Sequence, residues 1–572
     1  MKVVTLLTET DVALDLDHHT IETVRRANEA AKEVEVSRGV GGEIKNGILT
    51  QHETNEFLEF VRLALKRPLL SHQVKAALHL LHVAHSANFS TPGAGKTSVV
   101  LAVYEYLRSK GAINSLFVVG PRSCFAPWQS VFEVTLGRTA SVEILAGGDV
   151  RERHSKYYSR ISQPMELYLT TYHTLARDSQ QAQDLLREPD NHAFFIVDEA
   201  HYMKQDEGVW ARAVAETSRF ATKRCIMTGT PFPKSYGDGI NQFNILFPDA
   251  PIFDAKSRGR IRQASEAGQH RIAKETIEPK IKNLFYRVRK SELGLSEPVF
   301  LPPVEVDMNP VERELYECIE ERIAELAQSL GDLDLATSLD LKKGRQIRKR
   351  QAVSYASLLL GAIENYSEDL IDPENHYLIS KIQNYRHLET PAKMETLNVM
   401  LRDLRSRGEK VVVWANFVGS LQRIKQECDE LGFQSRVVYG GTPTEVGMNE
   451  ESREEIIEAF KRRNSGLDIL IANPAACSES VSLHRTCSNA IYYDLSYNCA
   501  EYLQSLDRIH RVGGSEEKIS YYHFLKYRDT FESQILDNLN AKTARMMEVI
   551  DQEFPLAGIE LPEWEISPDD HP

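Results

Sequence analysis

Cysteine is sparse in this chain of 572 residues: Cys124, Cys225, Cys318, Cys428, Cys477, Cys487 and Cys499 are dispersed, with no C-x-x-C pair. That excludes a disulfide-built scaffold and a cysteine zinc site, and it points to a reducing, cytoplasmic setting. No run of about 18 apolar residues occurs, so neither a membrane-spanning helix nor a membrane partner is expected. Met1 to Thr10 mixes apolar residues with Glu9 and has no small-residue cleavage pattern, so it does not read as a signal peptide. An excess of positive charge is also missing, the formal net charge being −14. Phosphate contacts need Lys and Arg, so a nucleic-acid ligand would require a local basic track, or help from a protein partner.

What is present is a phosphate loop. Ser90-Thr91-Pro92-Gly93-Ala94-Gly95-Lys96-Thr97 opens a helix rich in Val, Leu and Ala after an apolar stretch at Leu80, Leu81 and Val83. Gly93, Ala94 and Gly95 let the backbone approach an anion, the helix N-terminus points N–H groups at it, and Lys96 with the Thr97 hydroxyl suits phosphate and Mg²⁺. The strict pattern wants Gly where Ser90 stands; the G-x-G-K-T core remains. Phe194-Phe195-Ile196-Val197 then reads as a buried parallel strand ending in Asp198-Glu199-Ala200-His201. Such a pair supplies a metal ligand and a water-activating base, Asp198 and Glu199 respectively. Taken alone, Asp-Glu after a strand is also a common opening of a helix.

The length calls for two or three domains. Residues 1–62 carry a charged helix at Thr20 to Val36, then Gly39-Val40-Gly41-Gly42, then a second helix from Asn55 to Leu65, and read as a small cap or a partner-docking module. Residues 63–290 alternate strand and helix, with strands at Ser115–Gly120, Glu166–Tyr172, Phe194–Val197 and Cys225–Pro231; this predicts a parallel sheet covered on both faces. Residues 291–390 lose the strands and become helical. Their basic run Lys342, Lys343, Arg345, Arg348, Lys349 and Arg350 is a solvated face or a phosphate-contacting helix. Residues 391–550 form a second α/β lobe with strands at Lys410–Ala415, Leu467–Ala472 and Ala490–Tyr493, and residues 551–572 an acidic tail. The fold class is therefore α/β, two parallel-sheet lobes with a helical insertion.

Two such lobes, with a phosphate loop in the first and Arg508 and Arg511 late in the second, suggest ATP held between them. The arginines would meet charge developing on the γ-phosphate, an effect worth roughly 10³–10⁵ in rate. As a pair in isolation they could equally be a surface ion-pair element.

The order of these motifs resembles the superfamily 2 helicase-type motors, and more narrowly the Swi/Snf-like DNA translocases with RecA-like lobes, from about Pro68 to Ile550. Leu69-Leu70-Ser71-His72-Gln73 resembles the adenine-reading segment, which implies that Gln73 meets the base. Pro121-Arg122 through Pro127-Trp128-Gln129 and Thr170-Thr171-Tyr172 resemble strand-contacting motifs. Asp198-Glu199-Ala200-His201 with Lys204, and Thr228-Gly229-Thr230-Pro231, are similar to motifs II and III, which implies coupling through His201, Thr228 and Thr230. Gln504 with Asp507-Arg508-Ile509-His510-Arg511 resembles the late arginine motif, with Gln504 coupling. Tyr286 to Lys290 with Leu301-Pro302-Pro303 resembles the crossing between lobes, and Thr530-Phe531-Glu532 the start of a bracing helix. Thr390-Pro391-Ala392-Lys393 and Tyr439-Gly440-Gly441-Thr442 belong to the same likeness.

The resemblance implies ATP and Mg²⁺ as cofactors and double-stranded DNA as the track. Arg122, Thr171, Tyr172, Asn416, Gly441 and Thr442 are the expected contacts to its backbone. Asn473-Pro474-Ala475-Ala476, followed by serines where many relatives have glycines, resembles bacterial branches, some of which work beside nucleases in anti-phage systems; a nuclease or another defence subunit would then be a protein partner. A strand-separating helicase on DNA or RNA, and an ATP-gated interaction protein that signals to a partner, are the alternatives.

Overall fold

The computed structural model describes residues 18–550 apart from 49–50, 163, 204–207, 234, 329–334, 362–370, 372–374, 444–450, 463 and 478–480. The chain divides into two units, Met1–Gly294 with Lys542–Pro572, and Leu295–Ala541. The acidic tail and Lys204 lie outside the described residues.

Unit one is built on seven strands: β1 (His85–Asn88), β2 (Ser115–Val119), β3 (Val142–Ile144), β4 (Leu167–Thr170), β5 (Ala193–Asp198), β6 (Lys223–Met227) and β7 (Phe285–Tyr286). They pair in the order β3-β4-β2-β5-β6-β1-β7, every pairing parallel. β2 and β4 are buried along their whole length and β5 up to Asp198. Continuous apolar runs are what a sheet covered on both faces requires. The expected fold class holds, with two local corrections. Leu80 and Leu81 belong to a helix, Ser71–His82, with Val83 just beyond it, and the strand that leads into the phosphate loop is the polar His85-Ser86-Ala87-Asn88. Tyr172 opens a helix rather than ending a strand.

The N-terminal helix, His18–Lys45, runs straight through the glycines expected to end it. Gly41 explains why a glycine stands there, since a Cβ on it would lie 1.9 Å from the Asn283 carbonyl oxygen. The helix thereby approaches that segment closely. Arg38 Nε donates to the Lys280 carbonyl at 3.1 Å, Lys45 to that of Lys282, and Asn283 Nδ2 to that of Arg38 at 3.0 Å.

Unit two has a second parallel sheet: β8 (Val299–Phe300), β9 (Val304–Val306), β10 (Val411–Trp414), β11 (Ser435–Val438), β12 (Ile469–Ala472), β13 (Asn489–Tyr492) and β14 (Tyr521–Tyr527). The order is β11-β12-β10-β13-β14-β8, and β9 also pairs with β14. Helices Pro310–Gln328, Leu335–Ser354 and His376–Leu388 form the helical insertion, with a core of their own around Leu315, Ile319, Leu359, Ile382 and Tyr385. Neither reading of the basic run survives intact. Arg345 is buried and donates to the Leu326 carbonyl, Arg348 bonds Gln351, Lys349 pairs with Glu320, and Arg350 donates to the Leu495 carbonyl and lies over the Phe417 ring. Arg345 and Lys349 tie this helix to Pro310–Gln328, and within the run Lys342 and Lys343 are the exposed members.

Candidate functional site

The loop after β1 turns on Gly93 (φ 88°) and Gly95 (φ 77°), the second serving as cap of the helix Lys96–Ser109. Side chains rarely adopt that left-handed region, and Gly95 has a second constraint: a Cβ there would lie 2.1 Å from Gln73 Nε2. Gln73 itself is buried, donates to the Ala94 carbonyl at 3.2 Å and accepts from the Leu70 amide at 3.0 Å. It therefore braces the loop. Ser90, the departure from the strict pattern, has a local task as well. Its hydroxyl accepts the Val288 amide at 3.1 Å, and the Thr91 amide donates to the Val288 carbonyl at 3.1 Å, so the loop is anchored to the segment after β7. Lys96 Nζ donates to the Ser90 carbonyl at 3.0 Å, across the mouth of the turn, and Thr97 follows in the first helical turn.

Asp198 ends β5. Its Oδ2 accepts from Trp128 Nε1 at 2.9 Å and its Oδ1 from the Glu199 amide at 3.0 Å, while its carbonyl accepts the Tyr172 hydroxyl at 2.5 Å. Burial, then the neighbouring Glu199 charge, push the Asp198 carboxyl up to about 6, against the pull of Trp128 and Lys96. Glu199 takes φ 53°, a conformation that costs a non-glycine residue about 1–3 kcal/mol and recurs at functional turns. From there its Oε2 lies 3.2 Å from His201 Nδ1, and the same nitrogen lies 3.1 Å from the Thr228 hydroxyl. Thr228 Oγ1 also accepts the Thr230 amide at 3.1 Å, and Gly229 packs so closely on the loop that a Cβ would meet Pro92 Cδ at 2.6 Å. The structure thus joins the phosphate loop, the carboxylate pair and the Thr228–Pro231 turn in one continuous set of contacts.

Thr97 offers a hydroxyl and Asp198 an under-compensated carboxylate, a hard-oxygen donor set that fits Mg²⁺ once phosphate oxygens complete it. Trp128 and Tyr172, which fix Asp198 from two sides, were not readable as such from the sequence, because a buried indole or phenol looks the same there whether it fills a core or holds a carboxylate.

In unit two Arg508 is buried, its Nε donating to the Gln504 carbonyl at 2.8 Å and its Nη1 to that of Val481 at 2.9 Å. Gln504 is buried beside it. Arg511 donates from Nη1 to the Ser482 hydroxyl at 2.8 Å. Burial and the adjacent Arg508 charge lower the Arg511 guanidinium to about 10, so the pair is electrostatically suited to an anion.

The expected track contacts fare unevenly. Arg122 is exposed at the start of a short helical turn, and Thr171 caps the helix Tyr172–Arg177 by accepting the Thr174 amide. Tyr172 is corrected: it is 4% exposed, its ring stacks on Trp210 and its hydroxyl is committed to Asp198, so its side chain has nothing left to offer a ligand. Asn416 is held by Asp494 through its amide at 2.8 Å and its side chain, and Thr442 is buried with its hydroxyl on the Tyr439 amide. Gly441 is exposed.

The SNF2-related domain matches residues 89–355 and the helicase conserved C-terminal domain residues 392–513. The chain is 25% identical over 494 residues to the ATP-dependent helicase fft1 of Schizosaccharomyces pombe, covering 79% of this chain and 49% of that protein. It is 22% identical to the human SWI/SNF-related matrix-associated actin-dependent regulator of chromatin subfamily A member 1, over 79% of this chain and 40% of the relative. The chain thus spans about half the length, or less, of the curated relatives it matches. Among solved structures, the Sulfolobus solfataricus SWI2/SNF2 ATPase core in complex with dsDNA is 18% identical, with a TM-score of 0.37, over 85% of this chain and 94% of that one.

Proposed function

The chain belongs to the SNF2-related family, and on that premise we propose that it is an ATP-driven translocase on double-stranded DNA. The observation that carries the reading is the contact chain Glu199–His201–Thr228, which runs from the base expected at the γ-phosphate to the turn packed on the phosphate loop. In this reading Lys96 and the loop amides hold the β- and γ-phosphates, and Gln73 keeps the loop in shape. Glu199 orients the attacking water and takes its proton. Thr97 and Asp198 would hold Mg²⁺, which would supply charge neutralisation at the phosphates. Arg511 meets the charge that develops during transfer, and Arg508 holds the backbone beside it. His201 reports the state of Glu199 to Thr228.

One relative is named an ATP-dependent helicase and another a regulator of chromatin; the first name speaks for use of ATP and the second for a chromatin setting. Arg122 in unit one and Gly441 in unit two are the surface positions left for backbone contacts, which position a duplex without reading its bases. The narrower reading, the motor of a bacterial anti-phage system with a nuclease partner, rests on Asn473-Pro474-Ala475-Ala476 alone. The test is ATP turnover of the purified chain with no nucleic acid, with single-stranded DNA and with duplex DNA, taking Glu199→Gln as the blank. Stimulation by duplex supports the translocase; stimulation by single strands alone favours a strand-separating helicase; basal turnover that neither changes favours an ATP-gated interaction protein.

A further inference from the structure

The helix His18–Lys45 has no part in the roles above, yet it docks at Asn283, where two supports of the phosphate loop meet. The first support is β7 and the segment after it. The Ala87 amide donates to the Leu284 carbonyl at 2.8 Å and the Phe89 amide to that of Tyr286 at 2.9 Å. The same ladder continues into the loop, where the Thr91 amide reaches the Val288 carbonyl and the Ser90 hydroxyl accepts the Val288 amide, each at 3.1 Å. The second support is the helix Ser71–His82, which holds Gln73 against Ala94 and Gly95. One turn from its end, His79 Nε2 lies 3.2 Å from the Asn283 carbonyl oxygen. Asn283 therefore touches the second support and leads directly into the first.

Asn283 follows the helix His270–Ile281, whose last carbonyls find no partner within that helix. The N-terminal helix supplies partners there: Arg38 Nε takes the Lys280 carbonyl at 3.1 Å and Lys45 that of Lys282, while Asn283 Nδ2 donates back to the Arg38 carbonyl at 3.0 Å. The Lys45 ammonium also lies 4.6 Å over the ring of Phe285, in β7 itself. Lysine is seldom buried without specific partners, and Lys45 is 6% exposed. A Cβ on Gly41 would run into the Asn283 carbonyl oxygen, the same oxygen that His79 faces, and a backbone carbonyl cannot swing aside as a long side chain can. We propose that Gly41, Lys45 and Asn283 are positioning residues of the nucleotide site: the docked helix fixes Asn283, and Asn283 fixes both supports of the phosphate loop. The inference rests on the reading of that loop as the nucleotide site. With the helix undocked, the nucleotide must order the loop as it binds, which raises its dissociation constant and leaves turnover at saturation near that of the wild type.

The experiment uses the whole chain, with Gly41→Ala and Lys45→Met as separate variants and Arg25→Gln, an exposed position on the same helix, as the control. Mg·ADP is titrated calorimetrically, turnover is measured at saturating ATP, and amide hydrogen exchange is followed. The expected result is Mg·ADP binding weaker by about tenfold in Gly41→Ala and Lys45→Met and unchanged in Arg25→Gln, with turnover at saturation within about twofold of the wild type. Exchange at the Thr91 and Val288 amides should rise while Leu116 to Val119 in β2 keep their rate, which a general loss of stability would not produce. Unchanged Mg·ADP affinity in the two variants, against a wild type that binds, overturns this inference even if the denaturation midpoint falls, since that is the behaviour of a purely structural cap. Failure of the underlying reading is seen separately, as a wild-type chain that binds no Mg·ADP. If Gly41→Ala does not fold, Lys45→Met alone decides.

Discussion

His201 Nδ1 lies 3.1 Å from the hydroxyl of Thr228, and the same nitrogen faces Glu199 at 3.2 Å. One ring nitrogen therefore serves the expected base and the turn that packs on the phosphate loop. His201→Ala and Thr228→Val are each expected to lower duplex-stimulated turnover by about tenfold, the weight of one positioning hydrogen bond, while ATP affinity holds. Because the two side chains act as a unit, the double variant should lose little more than either single one. Steady-state kinetics with nucleotide-binding titrations check this. Additive losses would mean that the contact is packing and not coupling.

Arg511 carries a second expectation. Arg511→Ala should lower turnover by roughly 10³-fold or more with little change in ATP affinity, because the charge it meets forms only in the transition state. Lys96→Ala should instead weaken nucleotide binding itself. Equal losses of affinity and turnover for Arg511→Ala would make it a ground-state phosphate contact.

Lys393 and Glu532 form a buried ion pair at 2.6 Å in unit two, their side chains 0% and 5% exposed, and Glu532 also accepts the Tyr527 amide at 2.8 Å. Glu532→Ala leaves the Lys393 ammonium buried with the Val353 and Tyr493 carbonyls and the Tyr527 and Tyr493 rings but no carboxylate, and should cost about 3–5 kcal/mol, whereas Lys393→Met with Glu532→Leu should recover most of that. Urea unfolding monitored on both variants gives the comparison. A loss below about 1 kcal/mol for Glu532→Ala would place the pair among solvent-compensated ones.

Three buried histidines, His79, His85 and His484, favour the neutral form and set a pH limit. Burial and then the Lys45 charge bring His79 down to about 3, and burial and then Arg511 bring His484 down to about 4. His79 keeps a contact to the Asn283 carbonyl at 3.2 Å, while neither ring nitrogen of His484 has a hydrogen-bond partner among the described residues. As pH falls below about 6.5 the unfolded chain gains protons at these positions and the folded chain does not, so stability drops between about pH 6.5 and pH 4. Each group contributes about 3 kcal/mol over that window. His79→Asn with His484→Leu should flatten the decline in the denaturation midpoint between about pH 7.5 and pH 5. An equally steep decline in the double variant would assign it elsewhere.

Much of the fold was legible because its central strands are apolar throughout, as in Phe194 to Val197, and because Gly93 and Gly95 mark a turn that few other residues could make. What escaped did so for identifiable reasons. His85-Ser86-Ala87-Asn88 has the composition of a loop, yet β6 and β7 bury it from both sides. The glycines at 39–42 signal a helix end, but Gly41 is there for the close approach to Asn283. The basic run at 342–350 resembles a phosphate-binding face, and only tertiary contacts reveal carbonyl and carboxylate partners. Tyr172 sits in a motif whose pattern says nothing about which of its side chains point inward.

The most direct test of the account is movement along duplex DNA, measured as ATP-driven displacement of a third strand from a short triplex. Displacement that requires ATP, proceeds without separation of the underlying duplex, and disappears in Lys96→Ala and Glu199→Gln is the predicted result. Robust duplex-stimulated hydrolysis with no displacement of the third strand would contradict translocation.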